Sequence, residues 1–100
     1  MTALRLTENA RKDLLKFDKP DRKLVAAGLL KIQAAPDTRG LPLSGQLKTW
    51  RKLVVGKKSI RIIFKFKPED DIVVVSTIGW RRNGEVYRIA AARLGEDPHG

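Results

Sequence analysis

Two successive strand patterns in residues 60–80 constrain the fold of this chain most strongly. The segment IRIIFKFK, residues 60–67, alternates its side chains with the two-residue period of a β-strand, so one face is more apolar than the other. The segment IVVVSTIGW, residues 72–80, is uncharged and apolar on both faces, which is typical of a strand inside a sheet. Pro68 to Asp71 separates the two as a turn. We therefore expect a fold organised around a sheet that contains both strands.

Helical patterns precede this sheet. After a short opening strand at Ala3 to Leu6, Thr7 is placed as the N-cap of a helix that ends near Asp18. A second helix begins at Pro20 and stops at Ala34-Ala35-Pro36. Two antiparallel helices joined by a short loop form a hairpin that must lie on an apolar surface.

The remaining segments complete an α+β fold. Residues 37–45 are predicted as loop, Leu53 to Val55 as a strand, Glu85 to Leu94 as a last helix, and residues 95–100 as a frayed tail. The expected architecture is an N-terminal helical hairpin packed on a mainly antiparallel four-stranded sheet with a C-terminal helix. Its order is β-α-α-β-β-β-α, in a single domain spanning residues 1–100.

The positive charge is concentrated in the sheet region. The chain carries 21 lysines and arginines against 11 acids, a formal charge of +10, and 42% hydrophobic residues, which predicts a folded protein. No acid lies between Asp37 and Glu69. Single lysines usually only keep a sheet surface soluble, but a face of one sign favours a nucleic acid or another polyanion as partner. The basic residues of this interval are Arg39, Lys48, Arg51, Lys52, Lys57, Lys58, Arg61, Lys65 and Lys67.

Several classes of function are excluded or disfavoured. The chain has no cysteine, so disulfides, thiolate metal sites and a cysteine nucleophile are unavailable. We expect no cofactor and no metal. His99, the single histidine, lies in the tail and is interpreted as a bystander. No signal peptide or membrane span is predicted, and we expect a cytoplasmic protein without a membrane partner.

The sequence resembles a known family in two segments. These are LSGQLKTWRKLVVGKKSIRIIFKF, residues 43–66, and IVVVSTIGWRRNGEVY, residues 72–87. They resemble the RelE branch of the RelE/ParE superfamily of bacterial toxins, in a match that covers nearly the whole chain. The resemblance implies the RelE/ParE toxin fold and a type II toxin that binds the 70S ribosome. Such a toxin cuts mRNA in the ribosomal A site and is neutralised by a cognate antitoxin protein.

The resemblance also implies a set of catalytic residues. Lys52 is the base that removes the proton of the attacking ribose 2′-hydroxyl, and Arg61 stabilises the transition state. Arg81 stabilises charge on the leaving group, and Tyr87 stacks on a base or orients the hydroxyl. The family carries a second lysine where this chain has Val54. The residues expected to bind RNA or the ribosome are Arg51, Lys48, Lys57, Lys58, Lys65 and Arg82.

Other interpretations remain open. Without the family pattern, Tyr87 would be interpreted as a half-buried aromatic packed on the sheet. Both tryptophans are interpreted as packing residues, with stacking of Trp50 on a nucleotide as the alternative. A ParE-like inhibitor of DNA gyrase shares the superfamily. A basic module that binds RNA or the ribosome without cutting is kept open by Val54, since charge alone supports salt-sensitive binding.

Overall fold

The computed structural model describes residues 2–57 and 59–95, and these residues have the predicted α+β architecture. Lys58 and the tail with His99 lie outside the described residues. The strands are β1 Ala3–Leu6, β2 Leu41–Pro42, β3 Arg51–Val55, β4 Ile60–Lys67 and β5 Ile72–Trp80. The helices are α1 Glu8–Leu15, α2 Lys19–Ala34 and α3 Glu85–Ala92, with short 3₁₀ turns at Gly45–Leu47 and Arg82–Gly84.

Within the described residues the strands form one sheet in the order β1-β5-β4-β3-β2. β1 is parallel to β5 and the other neighbours are antiparallel, so the prediction of a mainly antiparallel sheet is confirmed. The sheet has five strands instead of the predicted four. The additional strand, β2, lies in the predicted loop and pairs Leu41 with Lys52 and Pro42 with Arg51. Two residues are too few to show a strand period, and proline is tolerated at a sheet edge.

Both faces of the sheet are covered. The helical hairpin lies on one face, where α1 and α2 bury apolar side chains of β4 and β5. On the opposite face a smaller core forms beneath α3 from Leu47, Trp50, Ile63, Val74, Val86 and Ala90. A β-bulge in β5 changes which of its residues point to each face. Ile63 pairs with Thr77 and Phe64 pairs with Val75, so Ser76 is an additional residue without a partner on β4.

The helix ends follow capping chemistry. Thr7 Oγ1 accepts a hydrogen bond from the backbone N–H of Ala10 at 3.1 Å, as predicted for an N-cap. Asp18 caps α2 by accepting from Asp21 N–H at 3.1 Å, so this helix begins at Lys19, one residue earlier than expected. Phe17 lies beyond the end of α1, with its ring centroid 5.2 Å from that of Trp80. None of the helices formed by the described residues is long and apolar enough to cross a membrane.

Gly28 lets α2 lie close to the sheet. A Cβ atom at this position would stand 2.8 Å from Val55 Cγ1 and 3.0 Å from Ile62 Cδ1, which is closer than van der Waals contact allows. Both neighbours are buried side chains of the sheet. The glycine is therefore required by packing, although glycine disfavours helix formation.

Gly28→Ala is expected to lower the free energy of unfolding by about 1 kcal/mol, the net of overpacking and a gain in helix propensity. Urea unfolding followed by tryptophan fluorescence measures this change. The control is Ala26→Gly, at an exposed position of α2, where the change in stability measures helix propensity without a packing contribution. An increase in stability for Gly28→Ala would contradict the close packing of α2.

Candidate active site

β3 and β4 place three residues of interest on the face beneath α3. Lys52 pairs with Ile63, and Val54 pairs with Arg61. Since side chains alternate along a strand, Lys52 and Val54 point to the same face as their partners. Ile63 belongs to the core under α3, which fixes the direction of all four side chains. Val54 is therefore the neighbour of both Lys52 and Arg61.

A tight turn after β5 brings α3 back over this face. Asn83 and Gly84 adopt left-handed conformations with φ of 50° and 72°, which glycine adopts freely and asparagine tolerates. These two residues therefore separate β5 from α3. Gly79 allows the close return of the helix, since a Cβ atom there would stand 3.3 Å from Val86 Cγ2. The first turn of α3 consequently lies directly on the sheet beside Arg61, which pairs with Gly79.

Tyr87 on α3 contacts Lys52 on β3. Lys52 Nζ donates a hydrogen bond to Tyr87 Oη at 3.3 Å and lies 5.5 Å from the centroid of the ring. Burial alone raises the pKa of Tyr87, but hydrogen bonds and positive charge from Lys52 and Arg61 outweigh it and lower the pKa below its ordinary value. The two cations thus stabilise the phenolate form of the only tyrosine in the chain.

Arg61 is buried, with 7% of its surface exposed. It interacts with the Tyr87 hydroxyl from the strand next to that of Lys52. A guanidinium held inside a sheet keeps its charge and its orientation. Arg61 is therefore a fixed donor beneath the phenol.

Arg81 approaches the same place from the end of β5. Its backbone N–H donates to the carbonyl of Ser59 at 2.9 Å, and its side chain is exposed. It contributes to a cavity of about 300 Å³ that we call the basic cleft. The cleft is lined by Leu43, Ser44, Leu47, Lys52, Arg81 and Tyr87. The structure therefore gathers the four predicted catalytic residues at one site.

The comparisons with known proteins rest on structure, because no protein-family model and no curated protein matches the sequence. An Escherichia coli RelE variant with two arginines replaced by alanine, solved in the free state, has a TM-score of 0.77 at 22% identity and covers 93% of this chain and 97% of its own. The Mycobacterium tuberculosis RelBE toxin–antitoxin complex gives 0.70 at 22% identity, covering 80% and 91%. A metal-bound toxin from Helicobacter pylori gives 0.64 at 20% identity, covering 84% and 99%.

The chain has the RelE toxin fold. The expectation drawn from residues 43–66 and 72–87 is confirmed at the level of the fold. Among the residues that the structure describes, no group of three histidine, cysteine, aspartate or glutamate side chains is placed to hold a metal ion.

Two further predicted RNA-binding lysines lie on the same side of the RelE fold as the cleft. Lys65 Nζ lies 4.9 Å from the centroid of the Trp50 ring, which belongs to the core beneath α3. Lys48 is exposed immediately after the 3₁₀ turn whose Leu47 lines the cleft. The Trp50 ring is buried, as its interpretation as a packing residue predicted.

Other predicted RNA-binding residues lie elsewhere. Arg51 is on the hairpin face, where its guanidinium donates to the carbonyls of Arg39 at 2.9 Å and Gly40 at 2.8 Å. It therefore holds the loop before β2, and its charge lies on the opposite face from Lys52. Arg82 lies 5.4 Å from the centroid of the Trp80 ring, on the hairpin side as well. Lys57 is exposed in the turn between β3 and β4.

Three residues that line the cleft, Leu43, Ser44 and Leu47, were not among the predicted site residues. Leu43 and Ser44 belong to the Leu-Ser-Gly sequence that forms part of the family pattern. The resemblance of this sequence to the family pattern could have placed Leu43 and Ser44 in the site. Asp13 and Arg93, which form a salt bridge between α1 and the end of α3, were also not among the predicted site residues.

Lys52→Ala is expected to raise the pKa of Tyr87, because removal of the cation removes a hydrogen bond and a positive charge that stabilise the phenolate. Since Tyr87 is the only tyrosine, its ionisation is read directly from the near-ultraviolet absorbance of tyrosinate during a pH titration. Lys48→Ala is the matched control and is expected to titrate as wild type. An unchanged titration in Lys52→Ala would show that the Lys52–Tyr87 contact is not formed in solution.

Proposed function

We propose that this chain is the toxin of a type II toxin–antitoxin system that cuts mRNA in the ribosomal A site. The observation that carries the proposal is that Lys52, Arg81 and Tyr87 line the basic cleft, while the buried Arg61 interacts with the Tyr87 hydroxyl and helps to lower the pKa of Tyr87. Perturbed ionisable groups gathered in a cleft are typical of catalytic sites. Structural neighbours solved as toxin–antitoxin complexes support an antitoxin as the protein partner.

The reaction proposed is an internal transfer at phosphorus. The ribose 2′-oxygen attacks the adjacent phosphorus, the bond from phosphorus to the 5′-oxygen breaks, and the products are a 2′,3′-cyclic phosphate and a 5′-hydroxyl. One group must accept the 2′-proton, and the additional negative charge of the transition state must be stabilised. Correct placement of these groups accounts for a large share of such catalysis.

Lys52 and Tyr87 together form the base in this scheme. They share a hydrogen bond of 3.3 Å, and Lys52 lowers the pKa of Tyr87 through this bond and through its charge. After the pair has lost one proton it can accept the proton of the 2′-hydroxyl. General-base assistance of this kind contributes about 10² to 10⁴ in rate.

The two arginines stabilise charge. Arg61 is buried and fixed, so it can donate to the equatorial phosphate oxygens without reorganisation, and loss of one such donor costs about 10² to 10³ in rate. Arg81 is exposed at the cleft and stabilises negative charge on the departing 5′-oxygen, which takes up a proton from solvent. Arginine hardly deprotonates, so it acts here by its charge.

Val54 favours a second candidate function. Its side chain is 36% exposed beside Arg61, at the position where the resembling family carries a second lysine. An apolar side chain there gives the site one cation fewer for the phosphate. A basic protein that occupies the ribosome without cutting would tolerate this residue, so the cleavage assay must separate binding from chemistry.

Arg81→Ala is expected to reduce single-turnover cleavage by about 10²-fold or more while the protein stays folded, because the side chain is exposed. The assay is in vitro translation followed by primer extension on the message. The adjacent Arg82→Ala is the matched comparison: Arg82 lies toward the hairpin side, so only ribosome affinity is expected to fall. Equal loss of the cleavage rate in both variants would contradict the assignment of Arg81.

The same assay separates the candidate functions. Cuts within codons at the A site support the nuclease. Inhibition of translation without cuts supports the binding module. Gyrase-dependent DNA cleavage in a parallel reaction would instead support a ParE-like activity.

The rate of cleavage is expected to rise with pH until Tyr87, whose pKa is lowered, has lost its proton, because the base acts in its deprotonated form. In Lys52→Ala the rate should fall by about 10² to 10⁴. The rise of the cleavage rate should also occur at higher pH, because the variant lacks the hydrogen bond and positive charge by which Lys52 lowers the pKa of Tyr87. Lys23→Ala, an exposed change on α2, is expected to keep the wild-type profile. A wild-type profile in Lys52→Ala would exclude the pair as the base.

A further inference from the structure

The helix that carries Tyr87 is short. α3 has 8 residues, and its N-cap residue, Gly84, has no side chain with which to cap it. A helix of this length is marginal by itself, so its place depends on tertiary contacts. Val86 and Ala90 supply apolar contacts that are buried against the sheet. Apolar packing alone does not fix a helix against sliding or rotation, and a polar anchor restricts both.

Arg93, the residue that ends α3, supplies such an anchor. Its Nη1 donates to Asp13 Oδ2 at 2.6 Å and its Nη2 to Asp13 Oδ1 at 3.2 Å, a paired arrangement that fixes direction as well as distance. Nη1 also lies 3.1 Å from the carbonyl oxygen of Ser76 and 3.4 Å from Thr77 Oγ1. The side chains of Arg93 and Asp13 are 15% and 9% exposed, so solvent screens this pair weakly.

Asp13 is itself fixed at the edge of the sheet. The pairing of β1 with β5 runs from Ala3 and Ile72 to Leu6 and Val75. Beyond this point Asp13 Oδ2 accepts the backbone N–H of Ile78 at 3.0 Å and thereby satisfies a donor on the strand edge. A single carboxylate therefore ties α1 and β5 to the C-terminal end of α3.

α3 is attached to the sheet at two residues, Lys52 and Thr77, that belong to one row of paired residues across the strands. Lys52 pairs with Ile63 on β4, and Ile63 pairs with Thr77 on β5. Tyr87 is bound to Lys52 at one end of the row and Arg93 to Thr77 at the other. Six residues of helix span about 9 Å, and two strand spacings are about 9.6 Å. The helical rise from Tyr87 to Arg93 is therefore close to the width of two strand spacings.

We propose that Arg93 and Asp13 are positioning residues that hold α3 so that the Tyr87 hydroxyl stays against Lys52 and Arg61. Without the Arg93–Asp13 pair, α3 retains its apolar contacts but loses the contact that fixes its C-terminal end. The positioning itself concerns the free protein. Its consequence for cleavage rests on the proposed function.

The experiment is a pH titration of Tyr87 by tyrosinate absorbance in the wild type and in Arg93→Lys, Asp13→Asn and the double variant. Arg93→Lys keeps the charge and loses the paired hydrogen bonds, and Asp13→Asn keeps an acceptor for Ile78. The pKa of Tyr87 is expected to rise toward its ordinary value in each single variant. Because the two residues act as one unit, the double variant should rise no further.

Arg88→Lys is the matched control. It makes the same change on the same helix, at an exposed arginine that donates to the carbonyl of Asn83 at 2.7 Å. Its titration is expected to be that of wild type. Circular dichroism is recorded at each pH, and the Tyr87 titration is compared only over the pH range in which every variant is folded.

One result would overturn the proposal. If Arg93→Lys lowers the melting temperature but leaves the Tyr87 titration unchanged, the pair only stabilises the fold. If Arg93→Lys does not fold, Thr77→Val decides instead. It removes one acceptor of Arg93 at nearly constant volume and is expected to give a smaller rise, and an unchanged titration would equally contradict positioning.

Cleavage provides a separate measurement. Under the proposed function, Arg93→Lys is expected to lower the single-turnover rate by about 10- to 10²-fold, the range for a misplacement of about 1 Å, with unchanged affinity for the ribosome. A protein that does not cut RNA would still show the shift of the Tyr87 titration. Failure of the proposed function and failure of the positioning are therefore distinguishable.

Discussion

The pairing of β4 with β5 is the interaction on which the remaining structure depends. It supplies the apolar side chains that receive the helical hairpin on one face and α3 on the other. It also sets Arg61 opposite Gly79, where the missing side chain gives α3 room to approach. The bulge at Ser76 shifts the later residues of β5 so that Thr77 and Gly79 share the face of Arg61. The site is therefore a consequence of strand register, and α3 adds Tyr87 to a surface that the strands have already defined.

Electrostatic repulsion is the second constraint. Lys52 and Arg81 line the cleft with Tyr87, and Arg61 interacts with the Tyr87 hydroxyl, in a chain of net charge +10. Clustered cations oppose folding. Tyr87 can become negatively charged at this site. The attraction between its phenolate and the cations Lys52 and Arg61 lowers the pKa of its hydroxyl. A phosphate group would relieve the repulsion more completely. Under the proposed function, an anionic ligand is therefore expected to stabilise the site.

Much of the fold could be predicted from the sequence, for identifiable reasons. β4 shows a two-residue period over eight residues, and β5 is an uncharged run of nine residues that is apolar on both faces. Thr7 and Pro20 mark helix starts by local chemistry. β2 could not be predicted, since two residues carry no period. The expected strand began at Leu53, two residues late, so alternation did not reveal that Arg51 and Lys52 point to opposite faces. The contact of Asp13 with Arg93 joins residues 80 positions apart, and such a contact follows from the assembled fold, not from a local pattern.

Burial divides the cations of the site into two groups with different responses to salt. Arg61 is nearly inaccessible and Lys52 is partly covered by Tyr87, so dissolved ions screen their interactions weakly. Arg81, Lys48 and Lys57 are exposed, and their attraction for a polyanion falls steeply as salt is added. Under the proposed function, binding and chemistry are therefore assigned to separate residues. The exposed residues are proposed to attract RNA to the sheet, and the covered residues to act on one phosphate in the cleft. Val54 lies beside the covered residues Lys52 and Arg61, and it contributes no charge at the position where the resembling family carries a lysine.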